Sequence, residues 1–157
     1  MRPTAAILWA AIALFASGVT ALAGELSIGD AQAQPGGEAT VPITYQQGTG
    51  PAAAALTSDI RFSDRLTQFR CAPGAALSGG QKTVKCAEPR RGLLRIAVYG
   101  LNLDPIPDGE VAIVSFHVPP GMRRRAYRLR NRPSAADAAG KEYPLRHRDG
   151  IVRIGYP

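Results

Sequence analysis

The chain has 157 residues, with 19 lysine and arginine residues against 12 aspartate and glutamate residues, so its formal net charge is +7. This length suits one domain with a core of its own, and we expect no second domain. The charge is uneven, because residues 24–119 hold eight basic and nine acidic side chains whereas residues 120–157 hold ten and three. The basic character therefore belongs to the last quarter of the chain.

Residues 1–23 have the parts of a secretory signal peptide. Arg2 provides a positive start, residues 5–16 form an apolar run, and Ala-Leu-Ala at 21–23 precedes Gly24. A membrane anchor is the alternative, but the apolar run is shorter than the roughly 18 to 20 residues that span a bilayer. The sequence therefore predicts a cleaved leader and a secreted, periplasmic or extracellular domain of residues 24–157.

The first half of that domain alternates apolar and polar residues. Residues 25–29 (ELSIG) and 39–46 (ATVPITYQ) predict two strands, and Pro42 within the second predicts an edge or a bulge because proline has no N–H to donate. Residues 56–62 (LTSDIRF) predict a third strand. Its alternation directs three side chains outward, away from Leu56 and its inward neighbours: Thr57, Asp59 and Arg61.

The second half is organised around residues 106–118 (IPDGEVAIVSFHV), where an Asp-Gly turn leads into an alternating strand with one fully apolar face. Further strands are predicted at 66–71, 82–86, 93–101, 126–131 and 150–155. No stretch of the domain has a sustained apolar period of three to four residues. The pattern predicts an all-β, single-domain β-sandwich of about eight or nine strands.

Cys71 and Cys86 are the two cysteines of the chain. In an oxidising compartment such a pair tends to form a disulfide, which would close a loop of about 15 residues and contribute roughly 3 kcal/mol in the chain-entropy model. The alternatives are a redox or metal pair, which lacks C-x-x-C spacing and nearby histidines, and two free thiols. We predict a structural disulfide.

In the order of its landmarks the chain resembles a cohesin domain, a secreted jelly-roll module that binds calcium-loaded dockerins. The matching features are ELSIG, PGGEATVPITY, the DIRFSDRL segment with its aspartate turn, DGEVAIVSFHV and the closing Asp-Gly strand. The resemblance covers nearly all of residues 24–154 and implies a non-catalytic protein-binding module linked to extracellular polysaccharide handling. Many cohesins carry outward amide or acidic residues where this chain has Ala55 and Thr57, so dockerin recognition is not carried over by residue identity.

Catalytic and metal chemistry have little support in the sequence. His117 and His147 lack metal spacing and a nucleophile motif, and Asp108, with Asp104 and Glu110 near it, is better explained by the turn that it begins. We therefore predict that the protein is not an enzyme and has no cofactor or metal. Sugar-binding modules share the sandwich fold, so direct polysaccharide binding is an alternative, although the domain after the leader has no tryptophan.

The arginine-rich last quarter is the strongest chemical signal. Guanidinium groups pair bidentately with carboxylate, phosphate or sulfate, and alternation directs Arg128 and Arg130 outward together. With Thr57, Asp59 and Arg61 they form the predicted partner-binding set, and a basic edge is predicted at Arg123, Arg124, Arg125 and Arg132. The partner would be an acidic protein, an anionic envelope surface or a polyanion. Nucleic acid is not expected, because an exported protein rarely meets it and alternation directs Tyr127, the aromatic residue among these arginines, inward.

The alternative for these arginines is a solvated charged edge that discourages aggregation between strands. We expect a monomer with no membrane-spanning segment.

Overall fold

The computed structural model describes residues 22–155. Residues 1–21 of the predicted signal peptide lie outside the described residues, so its cleavage stays a prediction. The described chain forms twelve strands and one short 3-10 turn, Ala75–Leu77. The strands are β1 (Glu25–Ile28), β2 (Ala31–Ala33), β3 (Glu38–Gln46), β4 (Ala55–Arg61), β5 (Thr67–Pro73), β6 (Thr83–Arg90), β7 (Leu93–Tyr99), β8 (Gly109–His117), β9 (Ala126–Ala136), β10 (Glu142–Pro144), β11 (Arg146–Arg148) and β12 (Gly150–Ile154).

The strands form two sheets that pack face to face, which confirms the predicted β-sandwich. One sheet has five strands in the order β11-β1-β3-β8-β5, and the other has seven, with β2-β12-β9-β4-β7-β6 in line and β10 paired to β9. Nine strands have four residues or more, close to the number predicted, whereas the three-residue strands β2, β10 and β11 have no pattern of their own in the sequence. Among residues 22–155 there is no helix long and apolar enough to cross a membrane.

The core lies between the sheets and is made by alternate residues of each long strand. On β3 the inward side chains Val41, Ile43 and Tyr45 are buried, as the sequence predicts. Strand β8, which lies between β3 and β5, has the predicted apolar face, and its other face begins at the buried Val111 and becomes partly exposed towards His117. Alternation along single strands was therefore sufficient to locate the core.

Pro42 lies in an interior strand, at the point where its neighbour β1 ends. Gly29 follows the last residue of β1 and donates its N–H to the carbonyl of Pro42 at 2.8 Å. A Cβ added to Gly29 would lie 2.6 Å from the Pro42 ring, so this close approach requires glycine. The proline is accommodated next to a bulge between Ile43 and Thr44, and the predicted edge is replaced by the end of the adjacent strand.

The Cys71–Cys86 disulfide joins the two sheets along one side of the sandwich. Cys71 lies on β5, the last strand of the five-stranded sheet, and Cys86 lies on β6, the last strand of the seven-stranded sheet. The bond therefore connects two sheet edges beyond which residues 22–155 form no further strand, and it adds a covalent link where β pairing ends.

A buried polar group joins the sheets at their centre. Asn131 of β9 donates its amide N–H to the Leu26 carbonyl of β1 at 2.7 Å and accepts a hydrogen bond from the hydroxyl of Ser58 on β4. Asn131 and Ser58 are each 1% exposed, so water does not satisfy them. Buried polar groups are tolerated where they are hydrogen-bonded, and here they fix the position of one sheet over the other.

Candidate functional site

The outer face of the seven-stranded sheet is the surface on which the predicted partner-binding residues meet. Strand β4 pairs with β9 on one side and with β7 on the other, so side chains of the three strands form rows across the sheet. We call the upper part of this surface the arginine face and define it by five residues: Asp59, Arg61, Arg95, Arg130 and Arg132.

The first row places two like charges against each other. Arg61 of β4 and Arg130 of β9 are directly opposed in the antiparallel register, and both are exposed. Among residues 22–155, no carboxylate oxygen lies within ion-pair distance of either guanidinium. Like charges directly opposite on a sheet are destabilising, so this row has a charge that the domain itself does not neutralise.

The second row contains the one carboxylate of the face. Asp59 lies between Arg95 on β7 and Arg132 on β9. Arg95 donates two hydrogen bonds to Asp59, from Nε at 2.7 Å and from Nη2 at 2.8 Å, which is bidentate geometry. These bonds hold the pKa of the Asp59 carboxyl below its usual value. Because Asp59 is engaged by Arg95, Arg132 is left without an ion pair in the described chain.

Next to the arginine face, the outer surface of the same sheet is made of small side chains, most of which are uncharged. Thr57 and Ser134 share a hydrogen bond of 3.2 Å, and Ala55 and Ala136 form the next row. Tyr99 ends β7 and is exposed. A shallow hollow of about 160 Å³ lies between β4 and β9 at this point. The loop after β7 continues the surface with two exposed leucines, Leu101 and Leu103. The face therefore combines a cationic half with one that is uncharged at its centre and is bounded by Lys85 on β6 and Glu142 on β10, which we call the uncharged half.

The structure brings most of the predicted set together. Thr57, Asp59, Arg61 and Arg130 lie on adjacent strands and point outward, as alternation predicts. Arg128 lies beyond the end of β4, opposite Ile151, and pairs with Asp149 at 2.8 Å from Nε to Oδ2. It is therefore at the margin of the arginine face, with its charge already compensated.

The predicted basic edge is divided by the structure. Arg132 lies in the middle of the sheet, because β9 continues to Ala136 with β4 beside it, so this residue belongs to the arginine face. Arg123, Arg124 and Arg125 lie in the loop before β9 at one end of the sandwich. A single continuous edge is therefore not present, and the two groups are separate surfaces.

Arg95 was missing from the predicted set although its strand was predicted correctly. Alternation along residues 93–101 directs Arg95 outward, but nothing local says which strand lies beside it. The pairing of Asp59 with Arg95 follows from the β4–β7 register, which joins residues 36 positions apart. In the sequence, the opposite charges of Asp59 and Arg95 on two predicted strands are the one feature that could have indicated this pairing.

The remaining titratable candidates have structural positions. Asp108 accepts a hydrogen bond from the Gln47 N–H at 2.7 Å, which joins the turn before β8 to the end of β3. His117 ends β8 and is half-buried, and His147 lies on the short strand β11. Within the described residues, no group of three histidine, cysteine, aspartate or glutamate side chains is arranged to hold a metal ion.

No family model matches the sequence, and no curated protein does. Solved structures match instead, and many of them are cohesin domains. The fold is that of a cohesin domain.

Three of these structures show the extent of the similarity. CaCohA2 of Clostridium acetobutylicum, solved in complex with a dockerin, has 19% identity and a TM-score of 0.70, over 83% of this chain and 99% of that one. A non-cellulosomal cohesin of the archaeon Archaeoglobus fulgidus has 16% identity and a TM-score of 0.68, over 85% and 92%. The sixth cohesin of Acetivibrio cellulolyticus scaffoldin B, also in a dockerin complex, has 14% identity and a TM-score of 0.71, over 84% and 99%.

The predicted resemblance is therefore confirmed at the level of the fold. Identities of 14 to 19% leave the partner of this cohesin-like domain to be argued from its own surface. Ala55 and Thr57, the positions at which the sequence departs from many cohesins, both lie in the uncharged half of the outer face.

Proposed function

We propose that this cohesin-like domain is a non-catalytic protein-binding module whose partner docks on the outer face of β9, β4, β7 and β6. The observation that carries the proposal is the row in which Arg61 opposes Arg130, with Arg132 next to it and no ion pair to any of the three in the described chain. A partner that brings carboxylates to this row would remove a repulsion that the free domain retains.

The chemistry of the face favours an acidic, dockerin-type protein with an apolar segment. Carboxylates would pair with the guanidinium forks of the arginine face, and apolar side chains would cover Ala55, Ala136 and Tyr99 in the uncharged half. Charge complementarity would set the association rate and the orientation, while the uncharged half would provide desolvated area. Export of the domain and a role in attaching a partner near extracellular polysaccharide complete the proposal.

Direct polysaccharide binding is the alternative that the sequence left open. Of the outward residues of β4, β7 and β9, Tyr99 alone is aromatic, and it is 43% exposed. Tyr143 is half-buried, and its hydroxyl donates to the Pro51 carbonyl at 2.9 Å. Flat sugar-binding platforms need several exposed rings, so no observation favours this function over protein binding.

The test compares two double substitutions with the same change of charge. Arg61→Glu with Arg130→Glu reverses the first row of the arginine face, and Arg70→Glu with Arg146→Glu makes the same change on the outer face of the other sheet. Each protein is immobilised and titrated, at low salt, with the dockerins of the similar complexes and with secreted proteins of the source organism.

We expect the wild-type protein and the Arg70/Arg146 variant to bind the same partner, and the Arg61/Arg130 variant to lose at least about tenfold in affinity. Equal loss in both variants, or binding that is unchanged when the arginine face is reversed, would contradict the proposal. A saturable isotherm on polysaccharide, with no protein captured, would favour the sugar-binding alternative instead.

A further inference from the structure

A second concave surface lies at the end of the sandwich, beside the turn that follows Arg61. It is a polar cleft of about 330 Å³ between the turn that follows β4 and the loop that precedes β9. Three of its side chains are guanidinium groups from these two segments. The cleft is lined by Ser63, Asp64, Arg65, Arg123, Arg125 and Tyr127.

The loop before β9 separates its three consecutive arginines. The stem of Arg124 lies over Gly155, at the point where a Cβ of that glycine would be, whereas Arg123 and Arg125 line the cleft. Arg125 stacks on the ring of Tyr127, with its guanidinium carbon 4.8 Å from the ring centroid. Two of the three side chains are therefore directed into the cleft, and the third is directed away from it.

The backbone of this loop is also held by hydrogen bonds from residues of β9 and β12. The Tyr127 hydroxyl donates to the Arg123 carbonyl at 3.1 Å, and the Ile154 N–H donates to the Arg125 carbonyl at 3.0 Å. Tyr127 is 5% exposed, so it is a rigid support at the base of the cleft. A ligand would find the guanidinium groups of Arg123 and Arg125 already on one side, which reduces the ordering cost of binding.

The charges of the cleft are not balanced by the domain. Three guanidinium groups face one carboxylate, Asp64, and within residues 22–155 none of Arg65, Arg123 and Arg125 forms an ion pair. The formal charge of the lining is therefore +2, from three positive charges and one negative charge. A phosphate monoester carries about −1.5 to −2 at neutral pH and offers three acceptor oxygens. Its charge and its acceptors match this lining.

We propose that the cleft is a binding site for a phosphate monoester group. Arg123 and Arg125 donate to its oxygens from the loop before β9, and Arg65 donates from the turn after β4. A carboxylate has one charge and two oxygens, which would leave part of this donor set unused. The cleft shares no residue with the arginine face, so phosphate binding and partner docking can be tested, and can fail, separately.

The experiment is calorimetric titration of the purified protein with inorganic phosphate and with glucose 6-phosphate at low ionic strength. The test variant is Arg123→Gln with Arg125→Gln. The control is Arg146→Gln with Arg148→Gln, which removes the same charge from strand β11. We expect saturable binding by the wild-type protein and by the control, and at least a tenfold weaker affinity in the test variant, because two charge-assisted donors are lost.

A gain-of-binding variant tests the same site without removing any donor. Asp64→Asn deletes the one carboxylate of the lining and should tighten phosphate binding several-fold. Vesicles that contain phosphatidic acid form a further arm, because their headgroup is also a phosphate monoester. Loss of vesicle binding in the Arg123/Arg125 variant would assign the group to a lipid, whereas tight binding of glucose 6-phosphate alone would assign it to a soluble or polymer-borne sugar.

Three results would overturn the proposal. They are the absence of saturable phosphate binding, an equal loss of affinity in the control, and an unchanged or weaker affinity in Asp64→Asn. Circular dichroism of each variant checks that the β-sandwich has formed before the titrations are compared.

Discussion

The outer faces of the two sheets differ in how their arginines are paired with carboxylates. On the five-stranded sheet, Arg70 lies against Glu38, and Arg146 lies 3.6 Å from Glu25, measured from Nη2 to Oε2. On the seven-stranded sheet, Arg61 lies opposite Arg130, and no carboxylate of the described residues lies within ion-pair distance of either guanidinium. Both faces are exposed, so solvation alone does not explain the difference.

A face that neutralises its own charges gains little from a charged partner, because the partner would first have to break existing pairs. An arginine row without carboxylates gains both from new pairs and from relief of repulsion. Surface ion pairs are individually worth only about 0 to 1 kcal/mol. The useful contrast between the faces is therefore the arrangement of charge rather than the number of salt bridges.

The position of both outer faces depends on the buried polar contact that Asn131 makes between the packed sheets. Asn131→Leu should remove this contact. The substitution removes the donor to the Leu26 and Arg148 carbonyls, and it leaves the buried Ser58 hydroxyl without its acceptor. We expect the free energy of unfolding to fall by about 3 kcal/mol, because an orphaned buried group costs about 1 to 3 kcal/mol and the lost hydrogen bonds add to this. Chemical denaturation monitored by circular dichroism measures this loss.

Two further variants show whether the effect belongs to the buried network. Ser58→Ala leaves one acceptor of Asn131 unused and should cost about 1 kcal/mol. Arg132→Leu is on the same strand as Asn131 but points outward, so we expect a change within about 0.5 kcal/mol. If Asn131→Leu were as mild as Arg132→Leu, the polar bridge would not be what positions the sheets.

The sequence predicted which side chains share a face because alternation is a property of the extended backbone alone. Leu56, Ser58 and Ile60 are buried as predicted, and Thr57 and Arg61 are exposed. The site was therefore half predictable. Its members were identifiable strand by strand, without any information on which strands lie together.

The rest depends on contacts between segments that are distant in the chain. The opposition of Arg61 and Arg130 follows from pairing of β4 with β9, and no local pattern encodes that register. Because of Pro133, the predicted strand was also shorter than β9 is in the structure. Pro133 is tolerated within the strand because β12 pairs with β9 only as far as Leu129, while β10 begins to pair at Ser134. The predicted end at residue 131 was therefore too early, and Arg132 was assigned to an edge.

Single charge reversals on the two outer faces should change the stability of the domain in opposite directions. Arg61→Glu replaces a repulsion with an attraction to Arg130 and removes the weaker attraction between Arg61 and Asp59, so it should stabilise the domain by at most about 0.5 kcal/mol at low salt. Arg70→Glu replaces the pair with Glu38 by a repulsion and should destabilise it by a similar amount. Both effects should shrink in 1 M salt, where charges on the surface are screened.

Opposite signs in urea denaturation would confirm that Arg70 is compensated by Glu38 and that the row of Arg61 and Arg130 is not compensated. Destabilisation by both reversals would mean that Arg61 has a favourable role in the free domain, and the argument for a partner at that row would fail. The Arg61→Glu result is informative beside the binding assay, because a variant that is more stable yet binds less cannot be explained by unfolding.

The smallest effect concerns Asp59, the one place where the arginine face is compensated. Arg95 holds the pKa of this carboxyl below its usual value, so ionised Asp59 favours the folded state above about pH 4, and the contribution is lost as the pH falls through the folded pKa. Asp59→Asn should therefore lower stability slightly at pH 7 and leave it unchanged once the pH is below the folded pKa of Asp59. Urea midpoints of the two proteins from neutral to acid pH measure this difference. A difference that stays constant with pH would mean that Asp59 stabilises the domain through packing and not through its charge.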